Sequence, residues 1–221
     1  MRIIQWIRGN SLTYCMGYVV RKAIRNRIER NKLKNKDISI LCQNCIGGVM
    51  LHDLGLQFQT PTINLYMSFG DFVVFLEHLN VFLGQEITFV NSERKYPKGV
   101  LFYDDNYERK SISLYFPHDK DYEKINCDWQ RRSKRVNYKN IYIIATDRDG
   151  LTTDLLERFS ELTFIHKILL SSKPYKEYDF VQYFPQYKDQ DQVTSMISII
   201  NMFGKREYQQ GWDYIQWLNN R

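Results

Sequence analysis

The chain predicts an α/β fold: a mostly parallel sheet with helices on both faces, plus a short antiparallel hairpin and a basic N-terminal helix. Three observations carry that prediction. Strand-like apolar runs alternate with helical-period segments along most of the 221 residues, the order that a parallel sheet with crossover helices requires. The run Ile141 to Ala145 is apolar at every position rather than alternating, as in a strand covered on both faces. A hydrophobic content of 43%, with 16 Tyr and 13 Phe, supplies enough apolar surface for a core and argues against disorder.

The elements follow in order. Met16, Val20, Ile24 and Ile28 recur every four residues, which places them on one helical stripe with Arg21, Arg25 and Lys32 toward solvent. A strand is expected over 38–41, and a short helix from Gly47 and Gly48 to His52 or Asp53. Another short strand lies near 63–66. A helix from Asp71 to Leu83 puts Phe72, Phe75, Leu76, Leu79, Phe82 and Leu83 on one face and stops at Gly84. Strands are expected at 87–90, 100–103 and 112–116, the last two pairing as a hairpin across a polar loop. A polar helix spans 121–136, a strand 141–145, a helix 153–162 and a strand 164–170. Two closing helices carry Val193, Met196, Ile197, Ile200 and Phe203, then Tyr208, Trp212, Ile215 and Trp217. No internal repeat or low-complexity segment interrupts this order.

The charge is unevenly placed. Residues 1–36 carry ten Lys or Arg and one acid, Glu29, for a balance of +9, while the remaining 185 residues carry 21 basic and 24 acidic side chains, a balance of −3. Residues 1–36 therefore read as a basic amphipathic arm, and 37–221 as a single, slightly acidic α/β domain. Such an arm, with Arg2, Arg8 and Trp6 ahead of the stripe, can pack on the domain with a solvated basic face. It can also lie on an anionic membrane surface, each cation there contributing roughly 1 kcal/mol. Nucleic acid is the less favoured partner. No run reaches eighteen uninterrupted apolar residues, so a transmembrane helix is not expected, and Arg8 and Asn10 break any secretory apolar stretch. A cytoplasmic protein, peripheral on the inner face of the cell membrane if the arm binds lipid, is the resulting expectation.

Four cysteines, Cys15, Cys42, Cys45 and Cys127, make no disulfide framework in a chain of this length. Cys42 and Cys45 form an isolated C-x-x-C, without the second pair that a zinc site needs.

Chemistry-bearing residues gather at strand ends. The strand at 141–145 runs into Thr146, Asp147, Arg148, Asp149 and Gly150. Two carboxylates one residue apart can hold a divalent cation such as Mg or Mn, and Arg148 can fork onto a phosphate. Asp-Gly is equally a common strand-to-helix turn. The strand at 38–41 runs into Asn44, Cys45, Gly47 and Gly48, and the strand at 164–170 into Lys173 and Tyr175. With the three strands parallel, these segments share one crevice beyond the strand ends. Cys45, before a glycine-rich helix start, is a nucleophile candidate whose thiol the helix dipole would draw down, and the glycine N–H groups would hold an oxyanion or phosphate. His118 or His52 is its candidate base. A small cysteine behind two packing glycines explains the same residues without chemistry.

Several motifs together resemble a known family. They are Leu33 to Ile40, Asn44 to Gly48, Asp53 to Leu56, Thr60 to Thr62, Tyr96 to Gly99, His118, Trp129 with Arg131, Arg132 and Arg135, Thr146 to Gly150, Lys173 to Tyr175, and Tyr214 to Leu218. In this order they resemble an uncharacterised bacterial family described loosely as exopolysaccharide-biosynthesis proteins, a domain of unknown function found in capsule and lipopolysaccharide loci. The resemblance covers nearly everything after residue 32 and implies a sugar-polymer setting without a mechanism. This chain departs from the usual pattern at Cys42, where Ser is expected, at Gln43, where Asn is expected, and at Ile46, where Trp is expected.

Three functions are consistent with these residues. In the first, a glycosyl or sugar-phosphate transferase, Asp147 and Asp149 hold the divalent ion on a nucleotide sugar while Arg148, Arg132 or Lys173 neutralises phosphate. In the second, an acyl or other group transferase on a sugar polymer, Cys45 is the nucleophile and His118 or His52 the base. In the third, an aromatic-rich surface binds glycan or assembly machinery without catalysis.

Overall fold

The computed structural model describes residues 11–220, and Arg2, Trp6 and Arg8 of the basic arm lie outside the described residues. A helical segment leads, as α1 (Ser11–Val20), a π-helical stretch Arg21–Arg25 and α2 (Asn26–Lys32). The order continues β1 (Ser39–Cys42), α3 (Ile46–Leu54), α4 (Phe69–Glu77), α5 (Leu79–Leu83), β2 (Thr88–Val90), β3 (Lys98–Asp105) and β4 (Glu108–Tyr115). After these come α6 (Tyr122–Ser133), β5 (Ile141–Thr146), α7 (Thr153–Glu161), β6 (His166–Ser171), β7 (Val181–Tyr183) and α8 (Tyr214–Asn219).

Four strands form a parallel sheet in the order β1-β5-β6-β7, and β2-β3-β4 form an antiparallel sheet. Alternate residues of the parallel strands feed two cores. Leu41, Ile143, Ala145 and Leu169 pack with Phe72, Phe75, Trp129, Leu156 and Phe159 of α4, α6 and α7. Ile40, Cys42, Tyr142, Ile144, Ile168 and Leu170 pack on the opposite face with Met50, Leu51, Ile215 and Leu218 of α3 and α8. All six residues of β5 are buried, so the both-face burial expected from its unbroken apolar run is what the sheet contains.

Several local expectations are corrected by local causes. The helix placed at 71–83 starts two residues earlier, where Ser68 Oγ accepts from the Asp71 N–H at 3.0 Å, and breaks at His78 (φ −112°, ψ 29°). The strand expected at 63–66 shrinks to one antiparallel bridge, Tyr66 to Tyr115, because Asn64 takes a left-handed φ of 60°. The hairpin strands are longer than expected, joined by the two-residue turn Asn106-Tyr107 with both φ values positive, the geometry that matches strand twist. The closing helix expected around 193–203 does not form. Met196 has φ 61°, and Ile199 pairs instead with Arg206. The short edge strand β7 carries only partly buried residues and has no sequence signal of its own.

The N-terminal helix reverses its expected orientation. Arg21, expected in solvent, is 1% exposed. Its guanidinium donates to Asp53 Oδ2 at 2.8 Å, the Gly204 carbonyl at 2.7 Å and Gln209 Oε1 at 3.1 Å, and lies 3.4 Å from Glu29 Oε2. Arg206 Nε reaches the same Asp53 oxygen at 2.6 Å. Burial alone would raise the Asp53 carboxyl, but the Arg206 and Arg21 guanidiniums outweigh it and hold the group below its usual range. A buried charge network is strongly destabilised when one partner is removed, so this cluster ties the helix to the domain.

Candidate functional site

Parallel pairing brings the ends of β1, β5 and β6 to one edge, where side chains stitch them together. Gln43 Oε1 accepts from the Thr146 N–H at 3.0 Å and from its hydroxyl at 3.1 Å, and Gln43 Nε2 donates to the Arg148 carbonyl at 3.0 Å. Asn44 Nδ2 donates to Thr146 Oγ1 at 3.0 Å, while Asn44 Oδ1 accepts from the Ile46 N–H at 3.1 Å and so caps the entry to α3. Asp147 Oδ2 accepts from Ser171 Oγ (3.1 Å), Ser172 Oγ (2.7 Å) and the Ser172 N–H (2.6 Å), and Oδ1 accepts from the Val193 N–H at 2.8 Å.

The antiparallel sheet is anchored to the same edge. The Gln43 carbonyl accepts from the Met67 N–H at 3.0 Å, and the neighbouring Tyr66 bridges to Tyr115 at the end of β4. His118, three residues past β4, is thereby carried over Cys45: Cys45 Sγ and His118 Nε2 are 3.6 Å apart. A cavity of about 450 Å³ opens there, lined by Asn44, Cys45, His118, Arg148 and Asp149 together with Tyr66, Arg94, Tyr96, Ser195 and Ile197.

The cavity combines a thiol, an imidazole and two cations. Burial pushes the Cys45 thiol up, and the nearby Arg148 guanidinium opposes the shift. The expected depression by the helix dipole is therefore corrected: desolvation of the half-buried sulfur prevails. Tyr66 and Tyr96 hydroxyls lie 2.6 Å apart, and Arg94 donates to both, at 3.0 Å for Tyr96. The Arg94 guanidinium also stands 4.8 Å from the Tyr115 ring centroid. Arg148 Nε is 4.0 Å from Asp149 Oδ2. Asp149 takes φ 61° and Gly150 φ 96°, so the strand-end turn passes through the left-handed region that Asp and Gly tolerate.

Cys45, His118, Asn44, Arg148 and Asp149 of the sequence-predicted residues come together here. The others do not line this cavity. Gly47 and Gly48 are buried packing positions: a Cβ on Gly47 would stand 2.7 Å from Cys42 Cβ, and one on Gly48 3.3 Å from Ile63 Cδ1. The Gly47 N–H faces the buried Cys42 thiol rather than an oxyanion. Thr146 is buried in the strand-end stitching, and all of the Asp147 bonds named above are internal. Arg132 pairs with Asp128 at 2.9 Å and lies over Phe58, beside a different crevice. Lys173 is exposed beyond β6, and Tyr175 packs against the core with φ 27°. His52, the other candidate base, sits in the last turn of α3 with Nδ1 3.7 Å from Asp53, at the opposite end of that helix from Cys45. Cys42 is fully buried, with a thiol pushed up to about 12 by desolvation, so Cys42 and Cys45 do not act as a surface pair.

Tyr66, Arg94, Tyr96 and Ser195 were not foreseen as site residues. Their one sequence signal is Tyr96, which opens the Tyr96 to Gly99 motif of the family resemblance.

Among the described residues, no group of three or more His, Cys, Asp or Glu is arranged to hold a metal ion. Among the same residues, no helix is long and apolar enough to cross a membrane.

Comparison with known proteins identifies a family and a relative. The family described as "Domain of unknown function (DUF1919)" matches residues 16–219. A protein of Haemophilus influenzae described as uncharacterized is 33% identical over 195 residues, which is 88% of this chain and 90% of that protein.

Proposed function

This chain belongs to the DUF1919 family of unknown function, and we propose that it is a cysteine-dependent acyl or related group transferase of cell-surface polysaccharide biosynthesis. The observation that carries the chemistry is the 3.6 Å contact between Cys45 Sγ and His118 Nε2 on the wall of a cavity with two arginines. The sugar-polymer setting rests on the motif resemblance to exopolysaccharide, capsule and lipopolysaccharide loci. The same reading sets the protein in the cytoplasm, peripheral to the inner face of the cell membrane.

With an acyl ester or thioester as donor, His118 takes the Cys45 proton as sulfur attacks the carbonyl. Sulfur–carbon bond formation puts negative charge on the carbonyl oxygen, which the Arg148 guanidinium can stabilise. Collapse expels the donor alcohol or thiol, protonated by His118, and leaves a thioester on Cys45. A sugar hydroxyl then attacks, gives its proton to His118, and releases the acylated sugar with the thiol restored. Because burial disfavours a free thiolate, proton transfer belongs to the attack itself rather than preceding it. Arg94, held by Tyr66 and Tyr96, faces the same space as a binding group for a phosphate or carboxylate on the substrate.

A panel of acyl thioesters, followed by intact-mass spectrometry, tests the reading: a covalent adduct on the wild type, absent in Cys45→Ser and slow in His118→Ala, is expected. Failure of every donor to acylate Cys45, with ligand binding retained in Cys45→Ser, would favour a glycan-binding or assembly protein instead. A metal-dependent glycosyl or sugar-phosphate transferase is the second reading, and Asp149 on the cavity wall favours it. Asp147, its intended partner, spends both oxygens on internal donors. Stabilisation by manganese with a nucleotide sugar, lost in Asp149→Asn, would move the assignment to that reading.

A further inference from the structure

The N-terminal helix is turned inside out relative to its sequence pattern. Its buried face carries Arg21, Asn26 and Glu29, whereas Ile24 and Ile28 are 55% and 49% exposed. The loop after residue 200 lies against this helix, since a Cβ on Gly204 would meet Arg21 Cβ at 2.7 Å and the Gly17 carbonyl oxygen at 2.7 Å. That loop adds Phe203, 68% exposed. Ile24, Ile28 and Phe203 line one groove of about 800 Å³ together with Lys32 and Lys205.

Charge decides what fits this face. The one acid of residues 11–36 is Glu29, which is buried against Arg21 and Gln209. Every exposed charge of the segment is therefore positive, and Arg27 and Lys32 lie within one helical turn of Ile24 and Ile28. The exposed acid on the groove is Asp213, which accepts from the Ile215 and Gln216 N–H groups, and Arg27, Lys32 and Lys205 outnumber it. A second copy docking through the same face would set these cations against their own symmetry mates. Nucleic acid would answer the cations but not the three exposed apolar side chains. An anionic bilayer answers both, with apolar side chains at the acyl boundary and cations at the phosphates.

We propose that the face formed by Ile24, Ile28 and Phe203, flanked by Arg27 and Lys32, docks the protein on an anionic lipid surface. This deepens the peripheral setting proposed above and is independent of the Cys45 chemistry. Buried polar anchoring is what makes it workable: Arg21 and Glu29 hold the helix to the domain, leaving the apolar stripe free for lipid.

Flotation of the full chain on phosphatidylcholine vesicles, with and without phosphatidylglycerol, tests the proposal. Binding is expected only with phosphatidylglycerol and weakens as salt is raised. Ile24→Ser/Ile28→Ser/Phe203→Ser abolishes it, and Arg27→Gln and Lys32→Gln each lower partitioning roughly fivefold. These positions are exposed, and unchanged circular dichroism establishes that the variants fold. The proposal is overturned by no flotation, by flotation indifferent to lipid charge, by flotation unchanged in these variants, or by vesicle-free self-association that the serine variant removes. Acylation of Cys45 is read separately, so either conclusion can fail alone.

Discussion

Cys45 Sγ lies 3.6 Å from His118 Nε2, although the two residues are 73 positions apart. One sits at the end of a parallel strand and the other beyond an antiparallel one, and the Gln43–Met67 and Tyr66–Tyr115 backbone pairs are what join them. Burial holds the thiol above its ordinary value and Arg148 draws it down. Alkylation by iodoacetamide follows the thiolate fraction, so the Cys45 pH–rate profile is expected to have a midpoint above that of an ordinary thiol. Arg148→Gln moves the midpoint further up. A Cys45 midpoint below that of a free cysteine peptide contradicts the assignment of burial as the dominant cause.

Asp147 closes the strand ends with four accepted hydrogen bonds. Asp147→Ala strands the Ser172 and Val193 N–H groups in a buried site and is expected to cost about 3 kcal/mol in urea unfolding. Asp149→Asn, at a partly exposed position whose left-handed backbone Asn accepts, changes stability by less than about 0.5 kcal/mol. Equal effects of the two changes would refute this division between a structural and a cavity-facing carboxylate.

Asp53 titrates below its usual range in the folded protein. Its folded value lies below its unfolded one, so its contribution is fully present above the unfolded value and is lost as pH falls through the folded value. Stability therefore declines on acidification below about pH 4. Asp53→Asn removes that part of the pH dependence and, at neutral pH, costs about 3–5 kcal/mol because Arg21 stays buried without its partner. Thermal melts of both proteins across pH measure the two effects together.

Gly47 packs α3 onto β1 with no room for a methyl group, since a Cβ there would stand 2.7 Å from Cys42 Cβ. Gly47→Ala is expected to destabilise by about 1–3 kcal/mol. Glycine is needed there for close approach, so Gly47→Ala should cost less in a Cys42→Gly background, which lacks the clashing Cβ. Equilibrium unfolding of the single and double variants checks this.

The parallel sheet was legible because its signal is local. The unbroken run Ile141 to Ala145 and the helix and strand segments around it report burial on two faces, whatever lies beyond them. The strand ends at Asn44 to Cys45 and Thr146 to Asp149 were legible as one edge for the same reason, since parallel strands must end on the same side. Where backbone dihedrals decided, at Asn64, His78 and Met196, pattern alone misplaced the elements.

What the sequence determined by itself is thus the α/β class, the sheet-forming segments other than β7, and the edge on which polar residues would collect, all properties of neighbours along the chain. Tertiary structure alone decided that His118 rather than His52 faces Cys45, that Arg94 and two tyrosines complete the cavity, and that Asp147 turns inward. It also decided that the N-terminal helix buries Arg21 instead of its isoleucines, because the alternative depends on an ion pair with Asp53, 32 residues away. Periodicity measures which side chains share a face; it carries no information about which distant partner makes burying a charge cheaper than burying a hydrocarbon.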